Sequence, residues 1–183
     1  MPKENRHTVT VDGQIIDLRQ PGLAAFWGWL WPGAGHFYQR RYTKGVLFMV
    51  CILSTYFFGL AMGGGHVVYA SWRPGDKRWQ YFCQLPVGLP ALPAIVQARR
   101  VKQGRAPLLN GIMAPPHAGP VDGEVDELAK WHKEYSLMFD LGTVYTMIAG
   151  LLNVLAIYDA LCGPALPIVS KKQDSQDSTE TAT

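Results

Sequence analysis

The sequence predicts an all-α fold, an integral membrane helical bundle of three to four transmembrane helices. Three observations lead there. Of 183 residues, 48% are hydrophobic and 17% charged, against about 25% charged in an ordinary soluble domain. A mean hydropathy of +0.01 conceals polar ends around a strongly apolar middle. Three runs approach the roughly 20 apolar residues a spanning helix needs: 45–62 and 79–96, both uncharged, and 141–161, whose one charge is Asp159. Three such runs are hard to bury in one small soluble core. Around the bundle the sequence predicts a short re-entrant or interfacial Trp/Gly-rich segment, one amphipathic interfacial helix and a small N-terminal β-hairpin.

Residues 1–22 form the N-terminal polar segment. Alternating β-branched residues flank Asp12-Gly13, a two-residue hairpin signal. The first apolar run, 23–38, holds Trp27, Trp29 and Trp31 and has no small-residue cleavage pattern, so it reads as an uncleaved insertion signal. As a helix it would reach only about 24 Å, and Pro32, Gly33 and Gly35 interrupt it. Tryptophan favours the membrane–water boundary; helical spacing puts Trp27 and Trp31 on one face. The glycines allow a bend that would set His36, Phe37 and Tyr38 beside Arg40, Arg41 and Lys44. Candidate lipid contacts are therefore Trp27, Trp31, His36, Tyr38, Arg40, Arg41 and Lys44, with Arg99 and Arg100 further on.

Residues 23–97 combine a hairpin with a proline-broken span. Pro86, Pro90 and Pro93 interrupt that span, each removing a backbone hydrogen bond, so it should be kinked and packed against protein. Residues 98–123 form a basic cytoplasmic connector, with Arg99, Arg100, Lys102 and Arg105 either an anionic-lipid patch or an ordinary cytoplasmic cluster. Domain 124–163 begins with an amphipathic helix, 124–139, whose Val125, Leu128, Trp131, His132, Tyr135, Met138 and Phe139 share a face. It leads into the last span. The tail, 164–183, is disordered by composition.

Basic residues collect in cytoplasmic loops. If 23–38 re-enters, 12 Lys and Arg fall on the N-terminal side and 5 on the other; if it spans, the sides hold 8 and 9. The bias favours three spans, a cytoplasmic N-terminus and an external tail.

The order Pro32-Gly33-x-Gly35-His36-Phe37-Tyr38-x-x-Arg41-x-x-Lys44-Gly45 resembles the core of the two-transmembrane-helix (TM-two) domain family. It is closer still to a group of small bacterial membrane proteins of unknown function. The resemblance covers about residues 23–60. It implies a membrane hairpin in the bacterial cytoplasmic membrane and no chemistry. The aspartate-arginine-phenylalanine turn of the eukaryotic members is missing, so receptor-like roles are not implied.

Polar groups within membranes mark functional positions. His36 lies in the Gly-rich turn, Asn153 in the middle of the last run and Asp159 near its end. Gly150 and Asn153, three residues apart, share a face that suits helix packing; Gly150, Asn153 and Asp159 are the packing candidates. His7, His66, His117 and His132 lack metal spacing, and no nucleophile-elbow, P-loop or His-Glu-x-x-His motif occurs. The sequence therefore points to no catalytic residue, cofactor or metal. It predicts a non-catalytic small integral membrane protein, a scaffold or accessory subunit. Its partners would be membrane lipids and other membrane helices, from a second copy or a complex, and not nucleic acid. The alternative is a small-solute or ion-translocating subunit using the proline-broken span with Asn153 and Asp159.

Overall fold

The computed structural model describes residues 8–11, 14–73, 76–116 and 127–163. The polar tail 164–183, residues 117–123 of the connector and residues 124–126 of the amphipathic segment lie outside the described residues. Among the described residues, four short strands pair in two antiparallel ribbons. In the first, β1 (Thr8–Val11) meets β2 (Gln14–Asp17) with Thr8 opposite Asp17 and Val11 opposite Gln14. In the second, β3 (Trp72–Arg73) meets β4 (Asp76–Lys77).

Helices carry the architecture. The first three are α1 (Pro21–Leu30), α2 (Ala34–Tyr38) and α3 (Tyr42–Met62). The α3 run has no proline and stays apolar, so nothing stops it for about 32 Å. The longest helix is α7 (Leu137–Cys162). It packs antiparallel on α3: Arg41 and Lys44 at the start of α3 meet Asp159 near the end of α7, while Gly59 near the end of α3 faces Gly142. A Cβ on Gly142 would overlap the carbonyl oxygen of Gly59. Small residues here let the two backbones approach closely.

The expected three to four spans are corrected to two. Among the described residues, Tyr42–Met62 and Leu137–Cys162 are the helices long and apolar enough to cross a membrane. The run 79–96 is not one helix. It divides into α4 (Gln80–Gln84), 3-10 turns at Leu85–Val87 and Leu89–Ala91, and α5 (Pro93–Lys102). The cause is local. Pro86, Pro90 and Pro93 each remove a donor, and Gly88 takes a positive φ of 82° that only glycine adopts freely. The chain turns back there, and the Tyr81 hydroxyl ties the two arms by donating to Ala91 O at 2.8 Å. The returning arm regains the end where α3 stops: Gln97 Nε2 donates to Ile112 O at 2.9 Å, and the Met113 amide donates to Gly65 O. Residues 79–102 thus enter and leave by one end.

Residues 23–38 double back from the opposite end. The reversal is at Trp31, Pro32 and Gly33, with Gly33 at φ 82°. A Cβ on Gly35 would overlap Ala24 O, so α2 lies directly against α1. Trp31 caps α1, its amide donating to Trp27 O at 3.0 Å, and both tryptophans are exposed.

The amphipathic segment forms α6 (Glu127–Tyr135), whose buried Trp131 stacks on His66 at 4.3 Å. Ser136, at φ 47°, separates it from α7, which starts at Leu137 and runs through Gly142 unbroken.

Candidate functional site

One face of α7 gathers the buried polar groups. Along it lie Gly142, Thr143, Thr146, Ala149, Gly150, Asn153, Ala156 and Ala160, all buried. Their spacing of three and four keeps them on one side, and they form three levels.

At the first level the Arg78 guanidinium donates to Thr143 Oγ1 at 3.0 Å and Val67 O at 3.1 Å. It also lies over the Tyr69 ring at 4.6 Å, a cation–π contact. One turn on, Gln84 Nε2 donates to Thr146 Oγ1 at 2.9 Å.

The middle level is Asn153, fully buried. Its Nδ2 donates to Gly28 O at 3.0 Å and to Pro86 O at 2.8 Å. Gly28 is in the last turn of α1, and Pro86 is in the turn that ends the α4 arm. Carbonyls at a helix end have no partner within the helix. One amide group therefore caps two helical segments that stop inside the molecule. The close approach is enforced around it: a Cβ on Gly150 would overlap Cys83 O, and one on Gly88 would overlap Trp29 O. Asn153 Oδ1 has no hydrogen-bond partner.

The third level is Asp159. His36 Nε2 donates to its Oδ2 at 2.8 Å, Arg41 pairs with the same oxygen at 2.9 Å, and Lys44 stands 3.6 Å from Oδ1. Gln39 Nε2 donates to Ala160 O at 2.5 Å and Leu18 O at 3.3 Å. Burial pushes the His36 imidazole below its ordinary pKa; the bond to Asp159 opposes this, and the Arg41 charge adds to it.

Residues 23–173 match the family described as Family of unknown function (DUF6677). The chain belongs to that family. No curated protein and no solved structure matches it. The DUF6677 match runs from α1 through α7, so it includes both doubled-back segments and the helix they pack on.

The sequence-predicted residues separate in this DUF6677 chain. Gly150, Asn153 and Asp159 come together with His36, Arg41 and Lys44 along α7. His36 is 1% exposed and bonded to Asp159. Tyr38 is half-buried, with Arg19 Nη1 donating to its carbonyl at 2.9 Å. Trp27, Trp31, Arg40 and Arg99 are exposed. Arg100 is half-buried and donates from Nε to Ala106 O at 3.2 Å. Sequence reasoning missed Arg78, Gln84, Gln39 and Gln97. Gln84 had a signal, a long amide inside an otherwise apolar run; the others sit in polar stretches where nothing distinguishes them.

Chemically, these groups serve backbone and one another. Among the described residues no three His, Cys, Asp or Glu side chains converge.

Proposed function

We propose that this DUF6677 chain is a non-catalytic integral membrane protein, with α3 and α7 crossing the bilayer, that acts as a scaffold or accessory subunit for other membrane helices. One observation carries the reading. Both long helices turn large apolar side chains outward, including Leu47, Val50, Phe57 and Phe58 on α3 and Ile148, Leu151, Leu155 and Tyr158 on α7. Only 22% and 39% of their most apolar windows are buried, which suits contact with lipid or partner helices rather than a core. A soluble monomer rarely exposes contiguous apolar patches beyond a few hundred Å².

In that setting the two doubled-back segments are re-entrant hairpins from opposite faces. Irregular backbone at membrane depth must be covered by protein, and Asn153 supplies that cover to both tips. The polar groups on the inner face of α7 are occupied as structural partners, which supports a non-catalytic role. The resemblance over residues 23–60 supports a bacterial cytoplasmic membrane. With two spans, the N-terminus and Gly163 share a side, replacing the external tail of the three-span threading. The segment 63–136 then carries nine Lys and Arg and the rest of the chain eight, which gives no bias. Arg40, Arg41 and Lys44, next to the first span, support a cytoplasmic N-terminus.

The test uses single cysteines at Asn5→Cys and Ser178→Cys, with Cys51, Cys83 and Cys162 replaced by alanine. Both should resist an impermeant thiol reagent in intact cells and react after lysis; opposite behaviour at the two positions rejects the two-span threading. For the scaffold role, purification in mild detergent should recover another membrane chain, or a second copy, in fixed ratio. A chain recovered as a lone monomer rejects it.

Asn153 Oδ1, unpartnered where two helical segments end, favours the second reading, movement of a small solute or ion. Cation flux into liposomes carrying the protein, lost in Asn153→Leu, would support it.

A further inference from the structure

We infer that the cavity between the two arms of residues 79–102 holds one acyl chain of an anionic phospholipid, with its phosphate against Arg99 and Lys102. The inference rests on the membrane reading above. The cavity measures about 480 Å³, within the roughly 300–1,000 Å³ typical of ligand sites. Its walls come from both arms: Phe82 and Leu85 on one, Ile95 and Ala98 on the other. Such walls favour a hydrocarbon occupant over water. Trp72, Phe82 and Val96 are exposed at this part of the molecule, so the apolar lining continues onto an apolar surface facing the bilayer. The bilayer is then the reservoir from which the occupant comes.

Charge sets the headgroup. Arg99 and Lys102 line the cavity and are three residues apart on α5, hence on one side of it. Both are exposed, and the described ion pairs all belong to Asp159. Among the described residues no acidic side chain lines the cavity, so beside Arg99 and Lys102 the ammonium of a zwitterionic headgroup would meet like charge. A net-anionic phosphodiester meets two cations and no repulsion. Basic pockets of this kind bind acidic headgroups.

The test reads Trp72, which also lines the cavity. The full chain is placed in phosphatidylcholine nanodiscs doped with either phosphatidylglycerol or phosphatidylcholine brominated on one acyl chain. The difference between the native protein and Trp72→Phe isolates the Trp72 emission. Brominated phosphatidylglycerol should quench it at a mole fraction roughly tenfold lower than brominated phosphatidylcholine. In the double variant Arg99→Gln, Lys102→Gln the two curves should coincide. Ala98→Phe, which fills the cavity from its apolar wall, should reduce quenching by both lipids. Coincident curves in the native protein, a preference surviving the double variant, or equal competition by a free fatty acid would overturn the site. Trp27 and Trp31 separate this from the broader reading. If bulk brominated lipid quenches them while Trp72 shows no preference, only the site is wrong. If no tryptophan is quenched and the chain stays monomeric in detergent-free buffer, the membrane reading fails as well.

Discussion

Replacing Asn153 by leucine tests the junction of the two doubled-back segments with the number of side-chain heavy atoms unchanged, two methyls taking the place of the amide oxygen and nitrogen. The side chain is fully buried and donates twice, to Gly28 O and Pro86 O. Leucine leaves both carbonyls without a donor, and each buried orphan costs about 1–3 kcal/mol. Two effects reduce the total. Asn153 Oδ1 is already unpartnered, so leucine removes one desolvated acceptor. Interhelical hydrogen bonds within membranes also average only about 0.6 kcal/mol. The orphaned carbonyls outweigh the gain, and the net loss is roughly 1–4 kcal/mol. For a chain of this size each kcal/mol moves Tm by about 2–4 °C. Thermal unfolding in detergent should therefore show a drop of roughly 2–16 °C. A local signal should accompany it. Cys83 is half-buried and its carbonyl lies against Gly150, so alkylation of Cys83 should accelerate when the arm loosens. Cys51 and Cys162, already exposed, should react as before and serve as internal references. An unchanged Tm together with unchanged Cys83 reactivity would refute the capping role.

Gly150→Ala should cost about 1–3 kcal/mol as overpacking, because the new methyl meets the backbone at Cys83; the same assay with a Tm equal to the native protein would refute the contact. Gly88→Ala combines a positive φ with overlap on Trp29 O and should be at least as damaging, by roughly 1–3 kcal/mol from the backbone alone; normal expression and Tm would show that the tip is not held there. Acid should destabilise the protein through His36 and His66. Burial lowers both below the ordinary 6.5, against the pull of Asp159 on His36 and of Glu127 and Glu134 on His66. The unfolded chain then binds protons that the folded chain holds off, so stability rises with pH in this window. The contribution is complete above about 6.5 and is lost as pH falls below it toward the folded values. Chemical denaturation across that range should show the slope, His36→Gln should flatten it, and a pH-independent midpoint would contradict the burial argument.

The legible parts of this fold were those that depend on local composition. Residues 45–62 and 141–161 are proline-free and apolar, and both lie inside long helices, because nothing in them competes with the backbone ladder. Residues 79–96 are equally free of charge and of similar length, yet fold into a V. Hydropathy measures transfer of side chains from water and is blind to where the backbone can no longer hydrogen-bond to itself. Three prolines announced a kink; the complete reversal needed the positive φ of Gly88, which composition does not reveal. Helix α7 starts four residues before the run 141–161, because the charge of Asp140 ends an apolar run without ending a helix. Gly142, inside that run, is a packing residue against the Gly59 carbonyl. At the candidate site the small and polar spacing of Gly150 and Asn153 was visible, but their partners were not. His36 shows why. Its neighbours are aromatic and basic, which points to a headgroup position, while the group that buries it, Asp159, lies 123 residues away in sequence.

The partners of α7 are mostly backbone atoms of other segments. Gly142 receives the Gly59 carbonyl, Gly150 the Cys83 carbonyl, and Asn153 the carbonyls of Gly28 and Pro86. Where lipid surrounds a helix, apolar side chains gain little by moving from lipid to protein, so close packing and hydrogen bonds must hold the segments together. Small residues permit the approach and one amide supplies the donors. This division locates the constraint on sequence. The outward Leu151 and Leu155 are exposed and exchange one apolar surface for another when substituted, whereas one methyl at Gly150 displaces a backbone. The same logic explains why segments that break their own helices persist here. On the membrane reading a proline- or glycine-broken tip leaves carbonyls that cannot be left bare at depth, and the two doubled-back tips among the described residues both end where Asn153 of α7 presents a donor to receive them.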